Sequence, residues 1–252
     1  MTPVLDHPFL FFLVTVALQW GAAYAGDFIR RRLARQAEAK LEDFDLVRAA
    51  TLTLLGLIIA FSFQMAITRY DQRKSYEREE ANAIGTEFLR AGLLPAEDAG
   101  KVRTLLVKYV QQRVLFYTVD DEAGLARIES ETANLENTLW EAVRQAATVN
   151  PTPLAALATA GMNDVLNARG YTQAAWWNRI PLAAWGLMGL IAIAANLILG
   201  LGERQTDAFL LLVLPVVISI AVFLISDIDS PRGGIIRVVP QNLIALSQNL
   251  KQ

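Results

Sequence analysis

Four stretches of the chain carry no charged side chain: Phe9–Gly26, Ala49–Ile67, Ile180–Gly202 and Ala208–Ser226. A helix needs about 20 apolar residues to cross the hydrocarbon core of a bilayer, and each stretch approaches that length or exceeds it with modest flanks. Pro8 and Pro181 stand where they can open the first and third helices, because the amide that proline lacks is unpaired in a first helical turn. Glu203–Asp207 is too short to be more than a turn, so the third and fourth spans read as an antiparallel hairpin. Pro215 falls inside the fourth span and predicts a kink there.

The first span has a rival reading. Ala23-Tyr24-Ala25 has the small-x-small form of a signal-peptide cleavage site, but Met1–His7 contains Asp6 and neither Lys nor Arg. The Arg30-Arg31-Arg32 cluster beyond Gln19-Trp20 fits a retained helix that ends at a cationic membrane interface.

Between the second and third spans lie 111 residues, Arg69–Arg179, with 13 basic and 15 acidic side chains. Helix formers dominate Tyr70–Ala91, and Gly92-Leu93-Leu94-Pro95 ends that run. Val102, Leu105, Leu106, Tyr109, Val110, Val114 and Tyr117 recur at helical spacing, and Leu125, Ile128, Leu135, Leu139, Val143 and Ala146 form a second, less regular face. Asn150-Pro151-Thr152-Pro153 breaks the pattern, with Thr152 as the N-cap of a helix expected to stop near Asn167–Gly170. Helices with apolar faces and short connections must pack on one another. Pro231, Gly233-Gly234 and Pro240 limit regular structure in the tail before a last helix, Gln241–Leu250.

The fold class is therefore an all-α integral membrane protein, with four transmembrane helices and a helical extramembrane bundle inserted between the second and third. Its parts are residues 8–68, 69–179, 180–226 and 227–252. The location is multi-pass in the cell membrane, with the lipid bilayer as first partner. Arg30, Arg31, Arg32, Arg35 and Lys40 in the first loop favour a cytoplasmic position for that loop and place the bundle outside, although Arg69, Arg73, Lys74 and Arg78 pull the other way.

Composition narrows the function. The formal net charge is −2, which removes the case for nucleic-acid binding, and the absence of cysteine excludes disulfides and thiolate chemistry. His7 is the only histidine, so no zinc site or histidine triad is available. Phosphate-binding glycine loops and nucleophile elbows are also missing. Glu79-Glu80 points to different helix faces and makes a poor acid–base couple. No catalytic constellation remains and no cofactor is called for, so the chain reads as a non-enzyme.

Polar residues inside or beside the spans are the candidates for function. No Pro and only one Gly, Gly85, falls within Leu57–Ala91, so the second membrane helix should continue into the bundle, carrying Arg69, Arg73, Glu77 and Glu80 along one face. Two readings stand: a solvated, self-paired helix face, with Arg73–Glu77 pairing locally, or a collar of arginines around a pore or headgroup. Ser62 and Gln64 in the second span, with Gln19 and Asn196 elsewhere, need an interhelical hydrogen bond or a water path. Gly56 with Ala60, and Gly186 with Leu190 between Gly189 and Ala194, are candidate points of close helix approach. Asp227 and Asp229 follow the fourth span and could pair with Arg69 or Arg73; two carboxylates alone fall short of the six to eight oxygens Ca²⁺ takes.

Arg69-Tyr70-Asp71, Glu79-Glu80-Ala81-Asn82-Ala83-Ile84, Leu93-Leu94-Pro95 and the late pattern Asp227-x-Asp229-x-Pro231-x-x-Gly234 with Arg237-Val238-x-Pro240 resemble the bacterial bestrophin-like membrane family. The resemblance covers essentially the whole chain. It implies a distant relation to bestrophins, pentameric anion channels with four membrane helices and a large helical extramembrane part, and so a homo-oligomer with a small anion as cargo. Phe61, Ser62, Gln64, Arg69 and Arg73 would then be the pore or mouth residues, and Glu77, Glu80, Asp227 and Asp229 would form ion pairs that hold the helices. The bestrophin pore uses apolar aromatic constrictions and an acidic calcium clasp. Here Phe61 and Phe63 are two residues apart and cannot share one axis, and the tail lacks a longer acidic run. The alternative is a non-conducting scaffold or sensor whose bundle binds a protein or a small ligand.

Overall fold

The computed structural model describes residues 8–33, 41–202 and 210–251. Among them are eight α-helices and no strand: α1 (Pro8–Leu33), α2 (Leu41–Arg90), α3 (Ala96–Thr118), α4 (Glu122–Val149), α5 (Pro153–Trp177), α6 (Leu182–Gly202), α7 (Leu210–Asp229) and α8 (Gln241–Asn249). Four apolar runs long enough to cross a membrane fall in α1, the first part of α2, α6 and α7. This is a multi-pass membrane protein. The expected turn at Glu203–Asp207, together with Arg35, Lys40 and His7, lies outside the described residues.

The chain divides into two compact units, one of Met1–Arg69 and Arg179–Arg237, the other of Tyr70–Asn178 and Val238–Gln252. The boundary between the units falls inside the tail, between Arg237 and Val238.

In the first unit α1 packs on α6 and α7. Phe9 and Phe12 contact the Phe223 ring, and Phe11 meets Trp185 edge-on at 5.5 Å. Close approach occurs at Gly26 and Gly200, where a methyl group on Gly200 would stand 2.1 Å from the Ala23 carbonyl oxygen and one on Gly26 would stand 2.2 Å from that of Leu197. Nothing lies within 4 Å of such a group at Gly56, Gly186 or Gly189, so within one chain the close approach falls at Gly26 and Gly200 and not at the expected glycines. Small residues act here only where two backbones cross, and spacing within a single helix does not reveal a crossing. Gln19 and Asn196 do serve as interhelical links. Asn196 Nδ2 donates to Gln19 Oε1 (3.1 Å), and Gln19 Nε2 donates to Ser219 Oγ (3.1 Å), which joins α1, α6 and α7.

The second unit holds the bundle. α2 ends at Arg90, a short 3₁₀ turn covers Ala91–Leu93, and Pro95 precedes α3. The α3 face read from spacing is buried through Val102, Leu106, Tyr109, Val110 and Tyr117, against Leu139, Val143 and Ala146 of α4 and Met162 and Val165 of α5. Side-chain caps open the next two helices: Asp121 accepts from Gly124 N, and Thr152 accepts from Ala155 N at 3.1 Å.

α5 does not stop at Asn167–Gly170 as expected; it runs through to Trp177. A glycine inside a helix costs about 1 kcal/mol, and the buried Thr172, Ala175 and Trp176 beyond it supply packing that outweighs this.

Candidate functional site

Within its membrane span, α2 buries Ser62 and exposes Phe61, Phe63 and Gln64. Phe61 (64 % exposed) and Gln64 point away from the first unit, with Thr68 one turn further on the same face. Gln64 Nε2 reaches Thr68 Oγ1 only at 3.4 Å, and Thr68 Oγ1 donates to the Gln64 carbonyl at 2.9 Å. Ser62 is buried, so it faces the interior and not the outward stripe. Arg69 is partly buried.

The charged run beyond the span has two sides: Asp71, Lys74, Arg78 and Glu79 are exposed, whereas the face that carries Arg73, Glu77 and Glu80 is turned into the bundle. Arg73, Glu77 and Glu80 are buried at spacings of four and three, and Ile84 and Glu87 continue the same face inward. Arg73 Nε donates to the Ala175 carbonyl at 3.3 Å, so its guanidinium engages the C-terminal end of α5, where free carbonyls and the helix dipole favour a cation. Glu77 turns to the tail: Leu243 N donates to one oxygen (2.9 Å) and Asn242 Nδ2 to the other (2.6 Å). Pro240 supplies no side-chain cap to α8, and Glu77 caps that helix from α2.

Glu80 is the centre of the bundle. Arg113 of α3 donates to it through Nε, and through Nη2 at 3.4 Å, while Thr172 Oγ1 of α5 donates to its second oxygen at 2.9 Å. Both charges are sealed, at 0 % and 1 % exposure. The Arg113 guanidinium also lies 4.5 Å from the Phe116 ring centre, over a cluster in which Phe116, Tyr117 and Trp176 meet edge to face. Burial alone would lower the Arg113 pKa, but the Glu80 carboxylate outweighs it and keeps the cation firmly protonated. Next to this pair, Tyr109 donates to Glu136 at 3.1 Å, with Arg169 on the other Glu136 oxygen at 3.4 Å. Burial drives the Tyr109 hydroxyl well above its ordinary range, and the Glu80 charge adds to that shift.

Asp227 and Asp229 hold backbone amides. Ile235 N and Ile236 N donate to Asp227 at 2.7 and 2.9 Å, which folds the segment after α7 back over its end, and a methyl group on Gly234 would strike the Asp227 carbonyl at 2.3 Å. Asp229 accepts from Ile180 N at 3.1 Å and approaches Arg179 at 3.8 Å, which ties the start of α6 to the end of α7. Among the described residues no group of three or more His, Cys, Asp or Glu side chains could hold a metal ion.

The sequence reading missed Arg113 and Thr172. Arg113 carried a signal, since it falls four residues after Tyr109 on the apolar face of α3, where a solvent-directed cation would be out of register. Thr172 carried none, because α5 was expected to have ended before it.

A family described as the Bestrophin-like domain matches residues 13–243. Among solved structures, a point variant of a bacterial bestrophin homolog from Klebsiella pneumoniae aligns with a TM-score of 0.68 at 13% identity, covering 95% of this chain and 95% of that one. A structure of the same homolog solved by Zn-SAD phasing gives 0.64 at 14% identity, with 96% of each chain covered. No curated protein matches the chain by sequence.

Proposed function

The chain belongs to the bestrophin-like family, and on that premise we propose that it assembles into a homo-oligomer around α2 and conducts small anions passively. The observation that carries this reading is Gln64, a hydrogen-bonding side chain in a charge-free span, turned outward on the same stripe as Phe61 and Thr68. Such a group is unfavourable against lipid and is stabilised by a neighbouring subunit or a wet path. In this arrangement Phe61 from each copy forms an apolar aromatic constriction, and Gln64 and Thr68 offer amide and hydroxyl groups to a partly dehydrated anion. Arg69, the first cation of α2 beyond the span, raises anion concentration at one mouth. Arg73 is buried and has a structural role. The flow is down a gradient and involves no covalent chemistry.

Chloride efflux from liposomes containing the purified oligomer tests the reading. Phe61→Ala should raise the flux several-fold, and Gln64→Leu should lower it without changing the oligomer. An inserted, correctly assembled oligomer that passes no anion would overturn conduction and leave the scaffold reading in its place.

A further inference from the structure

The ion-pair core of the bundle does not use the carboxylate of Glu87. Glu87 of α2 is 0 % exposed, and neither of its carboxylate oxygens has a hydrogen-bond partner. It lies against Gly161 of α5, where an added methyl group would stand 2.0 Å from Glu87 Oε2 and 2.7 Å from Arg90 Nη1. The missing side chain at position 161 therefore makes room for both groups in one space. Arg90, three residues on along α2, does not pair with Glu87; its Nη1 lies 3.6 Å from Asp164 Oδ2 on α5, an aspartate 64% exposed in its side chain.

The charged groups that act on Glu87 are Arg90 from its own helix and Asp164 from α5. Arg103 of α3 comes close to the next residue, donating to the Phe88 carbonyl at 3.1 Å and lying over the Phe88 ring. A carboxylate with no donor in a dry site is strongly disfavoured in its charged form. Burial pushes Glu87 up to about 8, with Arg90 pulling it down and Asp164 adding to the rise.

We infer that Glu87, Arg90, Asp164 and the space at Gly161 form a proton-controlled switch between α2 and α5. With Glu87 neutral, Arg90 stays with the exposed Asp164. When Glu87 ionises, the guanidinium moves across the Gly161 gap to the buried carboxylate, where a charge-assisted pair is stronger than one at the surface. The proton leaves to solvent, and the contact between α2 and α5 is rearranged. The inference does not depend on conduction, because its parts lie entirely in the bundle.

The linkage has a definite sign. Glu87 binds its proton more tightly in the folded chain than in the unfolded chain, whose glutamates titrate at about 4.3. The contribution of the neutral acid to stability is complete below that value, falls as pH rises toward about 8, and is level above it, at up to about tenfold in the folding equilibrium per pH unit.

The experiment is infrared titration of the full-length protein in nanodiscs, following the band of a protonated carboxyl between pH 6 and 10. The native protein should lose this band with a midpoint near 8, and Glu87→Gln should lack it. Asp164→Asn removes the neighbouring anion and frees Arg90, so the midpoint should fall by a fraction of a unit or more. That surface variant reports even if Glu87→Gln fails to fold. A native protein with no protonated carboxyl above pH 6, or an Asp164→Asn variant whose midpoint stays put or rises, would overturn the switch.

Discussion

Breaking the Glu80–Arg113 pair should cost far more than removing it whole. In Arg113→Met, Glu80 keeps only the Thr172 hydroxyl as a donor in a site with no exposure. In Glu80→Gln, Arg113 retains the Phe116 ring at 4.5 Å but loses its counter-ion, and a desolvated cation–π contact offsets only about 2 kcal/mol of that loss. Leaving one member of a buried pair uncompensated costs about 3–5 kcal/mol, whereas replacing both with apolar groups of similar volume is often neutral. For a domain of this size, about 1 kcal/mol moves the melting midpoint by roughly 2–4 °C. Each single variant should therefore melt about 6–20 °C below the native protein, while Glu80→Leu with Arg113→Met should recover most of the difference. Size-exclusion thermal melts in one detergent, run on all four proteins, provide the cycle. Single variants within about 3 °C of native, or a double variant as unstable as the sum of its parts, would refute the claim that these charges are desolvated and mutually dependent.

Three further outcomes follow from individual contacts. Glu77→Ala removes the cap on α8 and leaves the Leu243 amide without its acceptor; hydrogen exchange across Gln241–Asn249 should accelerate, with a loss of about 1–2 kcal/mol. Gly200→Ala puts a methyl group 2.1 Å from the Ala23 carbonyl oxygen, and because backbone cannot yield as a side chain can, folded yield and melting midpoint should fall by the equivalent of about 1–3 kcal/mol. Gly186→Ala, at a position with nothing within 4 Å, serves as the control and should be silent. Asn196→Leu removes the link to Gln19 and should cost only about 1 kcal/mol, since polar groups in an unfolded membrane helix find other partners; a loss above about 3 kcal/mol would place catalytic-scale weight on a link argued to be modest.

The spans were readable from the chain because the cost of a charge in hydrocarbon is several kcal/mol per residue, so nineteen uncharged residues in a row are hard to explain otherwise. Thr152 and Pro95 were readable for a similar reason: a cap or a break acts within four residues of itself. The course of α5 was not, because Gly170 is a local weakness of about 1 kcal/mol that distant packing by Thr172 and Trp176 overrules. Gly26 and Gly200 escaped notice because their role belongs to the crossing of α1 and α6, and the chain holds 15 glycines among which no local pattern distinguishes them.

The buried face of α2 shows why charge runs mislead. Arg73, Glu77, Glu80 and Glu87 have the spacing of a core stripe, and on a scale that counts charged residues as exposed the stripe disappears. Three are buried with a different partner each: Arg73 on the carbonyl at the end of α5, Glu77 on the amide of α8, and Glu80 on Arg113; Glu87 has none, and burial favours its neutral form. The three partners come from elements more than thirty residues distant in sequence, so the run can be recognised as interior only once α3, α5 and α8 are placed around it. A helix face that needs three other elements to neutralise it has no stable exposed form. Burial of this stripe and assembly of the bundle are therefore one event, and substitutions along it should act on folding before they act on any ion path.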